Sequence, residues 1–301
     1  MQKNSWQTTV AKGTRKKSSY VILAIIFSIL TFSISWFIQI YTILSNGNLL
    51  QILIALLFVV WLPVLMALLF SISFKLPIEF FILRPVVNKK IIWAILLPCL
   101  IAALGVKGSL VLSQISWIDP NMPLFFDGDS IQGILHLSLA HLFPIIIFCI
   151  VISMGTELIY RAFFIELCLK AGIKVPFIFS AILQFISCLP FLWYGYFGGG
   201  KGNILHLISW FFLFVFLSIF YYWLSLSPNE RSRNSHHNLA KRSLLHPIIA
   251  ASVFQVIYFA LAPRYISENG NLWMSGPANV ITIMIYFIIT ICLLMTKRLK
   301  Y

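Results

Sequence analysis

Eight apolar runs, separated by short polar connections, organise this chain. Each is about as long as the ~20 helical residues needed to cross a hydrocarbon core. They fall near residues 20 to 45, 49 to 74, 91 to 113, 142 to 161, 175 to 194, 204 to 226, 243 to 262 and 277 to 296. The pattern predicts an all-α fold, a polytopic transmembrane bundle of about eight spans, with no soluble domain and no clear internal repeat. The first run is too long for a signal-peptide core and has no obvious small-residue cleavage site, so it reads as a retained span. Ile131 to His141 is apolar with histidines and is followed by Pro144. That segment predicts a short surface helix entering the fourth span, with proline in its first turn.

Composition gives the same class. Hydrophobic residues make up 60% of the chain, charged residues only 10%, and the mean hydropathy is +0.94, which excludes an ordinary soluble domain. The formal charge of +14 adds direction. With both termini cytoplasmic, the inner segments hold Lys3, Lys12, Arg15, Lys16, Lys17, Lys75, Arg84, Lys89, Lys90, Arg161, Lys170, Lys174, Arg231, Arg233, Lys241, Arg242, Lys297, Arg298 and Lys300, and only Lys107, Lys201 and Arg264 lie outside. That is 19 of the 22 basic residues on one side, the asymmetry of the positive-inside rule. The charges sit in short loops beside spans, so their partners are anionic lipid headgroups rather than nucleic acid. Four regions follow: a basic cytoplasmic segment 1–19, N-terminal transmembrane helices 20–130, a core 131–262, and a final helix with a basic tail 263–301.

Much of the remaining polar inventory carries no site. Cys99, Cys149, Cys168, Cys188 and Cys292 are an odd, scattered set without CxxC spacing, which reads as small buried hydrophobes rather than a disulfide framework or a thiolate metal site. His136, His141 and His206 belong to the outer face, and nothing in their spacing fixes a metal site. The longest polar connections are Trp117 to Ser130 outside, with Asp119, Asp127 and Asp129, and Ser227 to Arg242 inside, with His236 and His237. The loop Gly195 to Gly202 lacks the GK[ST] ending of a phosphate-binding loop. Trp36, Tyr41, Trp193, Tyr194, Trp210, Tyr221, Tyr222 and Trp223 read as belt anchors and packing groups. No cofactor and no metal are called for.

One intramembrane carboxylate stands out. Glu157 lies with Arg161 in Gly155-Thr156-Glu157-Leu158-Ile159-Tyr160-Arg161, where the fourth span reaches the inner membrane edge. The i, i+4 spacing projects both side chains from one helix face, so the guanidinium can hold or orient the carboxylate. A charge there is costly unless paired or used, so the pair is either a catalytic acid with its positioner or an ion pair fixing the span against its neighbours. Glu166 and Lys170 repeat the spacing at the interface.

Residues 142 to 262 resemble the core of the CPBP family, the CAAX-prenyl-protease and bacteriocin-processing group, also called Abi proteins. The family's EExxxR motif is matched by Thr156-Glu157-Leu158-Ile159-Tyr160-Arg161, with threonine for the first glutamate. Its FxxxH motif is matched by Phe185 to Leu189, with leucine for the histidine. Its third motif, a histidine followed by Asn or Asp, is matched around Ser243 to Gln255, where Ser252 takes the histidine's place and Gln255 approaches the amide position. The resemblance covers roughly the C-terminal half of the chain.

The resemblance implies that Glu157, oriented by Arg161, activates a water for attack on a peptide carbonyl, a step in which the family's histidine and asparagine hold the water or stabilise the oxyanion. His246, on the same membrane side as Glu157, and Ser252 form a second candidate set, although six helical residues, about 9 Å, separate them. Two functions remain open. One is an intramembrane glutamic-type endopeptidase acting on a peptide or membrane-protein substrate in a bacterial plasma membrane, linked to bacteriocin processing or immunity. The other is a catalytically inactive member serving as a scaffold or regulator that binds a partner enzyme or sensor. A transporter is disfavoured, since no paired broken helices occur in two related halves.

Overall fold

A computed structural model describes residues 17–76, 89–111, 116–117, 139–195, 201–226, 243–261, 265–266 and 279–296. Several sequence expectations lie outside these residues: the basic segment up to residue 16, the acidic outer loop after Trp117, the surface helix up to residue 138, the glycine run 196–200, the inner loop with His236 and His237, and the tail from 297.

The described chain is helical, and its helices follow the apolar runs closely. They are α1 (Lys17–Leu44), α2 (Leu49–Ser73), α3 (Lys90–Val111), α4 (Leu139–Glu157), a π-helical segment (Leu158–Phe164), α5 (Ile165–Lys170), α6 (Pro176–Trp193), α7 (Ile204–Ser225), α8 (Leu245–Leu261) and α9 (Val280–Met295). Five are long and apolar enough to cross a membrane: α1, α2, the continuous α4–π–α5 rod, α6 and α7. α3, α8 and α9 contribute shorter apolar stretches. A two-residue antiparallel ladder, β1 (Ser116–Trp117) with β2 (Tyr265–Ile266), ties the segment after α3 to the segment after α8.

Local chemistry explains the boundaries. Asn48 opens α2 through a capping box with Gln51, and Asn203 and Asn279 accept first-turn N–H groups at the starts of α7 and α9. Pro176 opens α6, where its missing N–H costs no helical bond. α5 closes in a Schellman arrangement: Gly172 adopts φ 83°, its N–H donates to the Leu169 carbonyl, and Ile173 N–H donates to that of Cys168. Lys90, at the start of α3, donates its ammonium to the Trp223 carbonyl at 2.7 Å and to the Leu226 carbonyl, covering the last turn of α7.

α4 packs chiefly on α8 and also on α2; α6 packs on α7 and α1; α3 packs on α8 and α9; and α7 also meets α9. The rod, α6, α7 and α8 thus form the centre, flanked by α1 and α2 on one side and α3 and α9 on the other. Among the five membrane-length helices burial agrees, being greatest along α7 and least along α1. Two glycines set the closest approaches. A Cβ on Gly155 would lie 2.3 Å from Val60 Cγ1 of α2, and one on Gly105 would lie 2.6 Å from Thr282 Oγ1 of α9.

The fourth span differs from expectation. The helix does not end at Arg161 but continues through the π segment to Lys170. The apolar pattern resumes after Arg161 with Ala162-Phe163-Phe164-Ile165, and Glu157 sits against the arginine, so the charge does not end the rod. Glu157 therefore lies well inside the helix and is buried.

Candidate functional site

The π segment sets the site. An i→i+5 turn inserts one residue into the helical register and often marks functional positions. Here it turns Arg161 inward between α6 and α7. The Tyr160 carbonyl within it accepts a hydrogen bond from Ser180 Oγ of α6 at 2.7 Å.

Arg161 Nε lies 3.6 Å from Glu157 Oε2, an ion pair with both side chains buried. Its Nη1 donates to Gln184 Oε1 of α6 at 2.7 Å, and the guanidinium carbon stands 5.5 Å from the centre of the Tyr221 ring of α7. The arginine thus joins the rod to α6 and α7. Glu157 Oε2 and Arg161 Nε themselves have no hydrogen-bond partner among the described residues.

The remaining sequence candidates lie on α8. Gln255 Oε1 accepts from Ser153 Oγ at 3.2 Å, one helical turn before Glu157, so α8 is in register with the glutamate's helix. Ser252 turns its hydroxyl back onto the Ile248 carbonyl of its own helix at 2.7 Å. His246 is buried in the first turn of α8, and neither ring nitrogen has a hydrogen-bond partner among the described residues. The structure therefore joins Glu157 to Arg161, and Gln255 to the glutamate's helix, but no hydrogen bond links His246 or Ser252 to Glu157.

The other polar residues fall as follows. Glu166 pairs with Lys170 at 3.5 Å as the spacing predicts, and it is buried against its neighbours. His206 Nε2 accepts from Trp210 Nε1 at 2.9 Å, which occupies a nitrogen an outer metal site would need. The His141 side chain and His136 lie outside the described residues. No cluster of three metal-ligating side chains occurs among the described residues. All five cysteines are free thiols; Cys149 and Cys168 are buried, whereas Cys99 and Cys292 point outward, contrary to the buried role expected of all five.

Sequence reasoning missed three interior partners. Gln184 and Tyr221 hold Arg161, and Trp36, read as a belt residue, donates Nε1 to the Ile186 carbonyl of α6 at 2.6 Å. A glutamine inside an apolar span is the one signal that marks Gln184 in advance, because a carboxamide in hydrocarbon needs a partner.

The fold and site define an all-helical membrane protein with an ion-paired polar centre. Comparison with family models, curated proteins and solved structures gives no match for this chain.

Proposed function

We propose that the chain is an eight-span protein of the bacterial plasma membrane with both termini cytoplasmic, a catalytically silent relative of CPBP-type endopeptidases that holds a partner enzyme or sensor. One observation carries the reading: Arg161 braces three helices at once through Glu157, Gln184 and Tyr221. A guanidinium so engaged locks the carboxylate into the bundle. The replacements at the other motif positions agree, with Leu189 apolar and the Ser252 hydroxyl on its own helix. The eight-span count rests on the three shorter apolar helices, and the orientation on the basic residues.

The endopeptidase reading keeps one specific support. Glu157 Oε2 and both His246 nitrogens are buried polar atoms without hydrogen-bond partners among the described residues, the condition of groups that receive a water or a substrate.

Membrane and secreted peptide profiles of cells carrying wild type, Glu157→Ala or a deletion separate the two, with the protein level checked in each. Partner holding predicts peptide changes in the deletion alone. Peptides lost equally in the alanine variant and the deletion, at unchanged protein level, would establish glutamate-dependent processing instead.

A further inference from the structure

α1 buries a polar stripe. Thr31, Ser35, Gln39 and Thr42 recur at helical spacing, so they share one face, and all four are buried. Phe27, one turn before Thr31 on that face, has its ring centre 4.7 Å from that of Phe163 in the rod. The stripe therefore faces the junction of α1 with the rod and α6.

The later part of the stripe is satisfied. Pro190 offers no N–H to the Ile186 carbonyl one turn earlier in α6, and Trp36 Nε1 of α1 donates to that carbonyl at 2.6 Å. Gln39 Nε2 donates to the Ser35 carbonyl at 3.1 Å and to the Ser187 carbonyl of α6 at 2.6 Å, and its Oε1 accepts from Phe191 N–H at 3.1 Å. One nitrogen thus holds Ser35 close to Ser187. The Tyr160 phenol of the rod stands beside Ser187 and Cys188 and within electrostatic reach of Arg161.

The earlier part is not satisfied. A serine or threonine inside a helix often turns its hydroxyl onto the carbonyl four residues back, as Ser28, Thr42, Ser187 and Ser252 do here. Thr31 and Ser35 forgo that bond. Both are fully enclosed, and neither Thr31 Oγ1 nor Ser35 Oγ has a hydrogen-bond partner among the described residues.

We propose that this junction is a water-binding site, in which water held by the Thr31 and Ser35 hydroxyls bridges α1 to Ser187 of α6 and Tyr160 of the rod. The donor set suits water. Each hydroxyl both gives and accepts hydrogen bonds, and a buried water makes two to four of them to groups otherwise unmet. Neutral hydroxyls match a small neutral ligand rather than an ion. The site lies between the Pro190 end of α6 and the Arg161 centre, and Tyr160 connects it to the latter. It does not depend on whether Glu157 is catalytic or the protein holds a partner.

X-ray radiolysis of the full chain in bilayer nanodiscs, with oxidised residues read by mass spectrometry, reports side chains that touch bound water. Tyr160 and Tyr222 are a matched pair, both 3% exposed, and Tyr222 packs in an apolar cluster with Phe177 and Leu293. Tyr160 is expected to be oxidised severalfold faster than Tyr222. Thr31→Val combined with Ser35→Ala lowers the Tyr160 rate to that of Tyr222, leaves the exposed Tyr41 unchanged and does not raise the melting temperature. A wild-type Tyr160 rate no faster than that of Tyr222 would overturn the site, and this comparison needs no variant to fold. A Tyr160 rate that the double variant leaves unchanged would overturn it too. So would a double variant more stable than wild type, because deleting hydroxyls from a dry site relieves unmet polar groups.

Discussion

Two polar regions lie inside this bundle, and they differ in how completely their groups are satisfied. Around Arg161 the formal charges pair, yet Glu157 Oε2 and Arg161 Nε have no hydrogen-bond partner among the described residues. Around Pro190 there are no charges, and the exposed backbone of α6 is met by Trp36 and Gln39. A satisfied polar network in a low-dielectric interior fixes geometry, whereas an unsatisfied one leaves room for a guest or a change of state. The charged centre is therefore the less completely satisfied of the two, and the neutral clamp the more firmly fixed.

The comparison breaks most sharply at Arg161. Arg161→Leu strands a buried carboxylate and is expected to cost about 3–5 kcal/mol, read as loss of unfolding stability in detergent. Adding Glu157→Gln should recover most of that loss. A double variant no more stable than Arg161→Leu alone would show that the pairing is not what the arginine contributes.

Gly155→Ala comes next. Its methyl would meet Val60 Cγ1 at 2.3 Å, two residues before Glu157, and should cost about 1–3 kcal/mol by forcing α2 away from α4. Relief by Val60→Ala, measured in the same unfolding assay, would locate the clash.

The clamp should respond more weakly. Gln39→Leu is expected to cost about 1 kcal/mol, near the upper part of the range for hydrogen bonds between membrane helices. A loss as large as that of Arg161→Leu would erase the contrast between the two regions.

Trp36→Phe is the smallest change. It removes only the donor to Ile186 O, for about 0.6 kcal/mol, and should have no effect when Pro190→Ala supplies an N–H of its own. A cost that survives Pro190→Ala would assign Trp36 to packing alone.

The two regions also differ in how far they can be read from the chain. Glu157 and Arg161 are visible because charges inside an apolar run are rare and i, i+4 spacing places them on one helix face. Their helical environment is less legible, since the apolar pattern does not reveal that the fourth rod passes through a π segment to Lys170. The clamp is hidden for a different reason: Trp36 and Gln39 lie about 150 positions before the α6 groups they hold. A proline inside a span announces a backbone gap but not what fills it.

Hydropathy and charge alone thus determined the apolar helical class, the positions of most of the helices and the i, i+4 pairing of Glu157 with Arg161. These follow from local periodicity and from the cost of placing polar groups in hydrocarbon, both properties of consecutive residues. The tertiary structure decided which helices form the centre, that Arg161 spans from the rod to Gln184 and Tyr221, that Ser252 turns back onto its own helix, and that α1 completes the backbone of α6. Those outcomes depend on the rotation and depth of each helix against its neighbours, set by close contacts such as Gly155 on Val60, which the linear pattern does not encode.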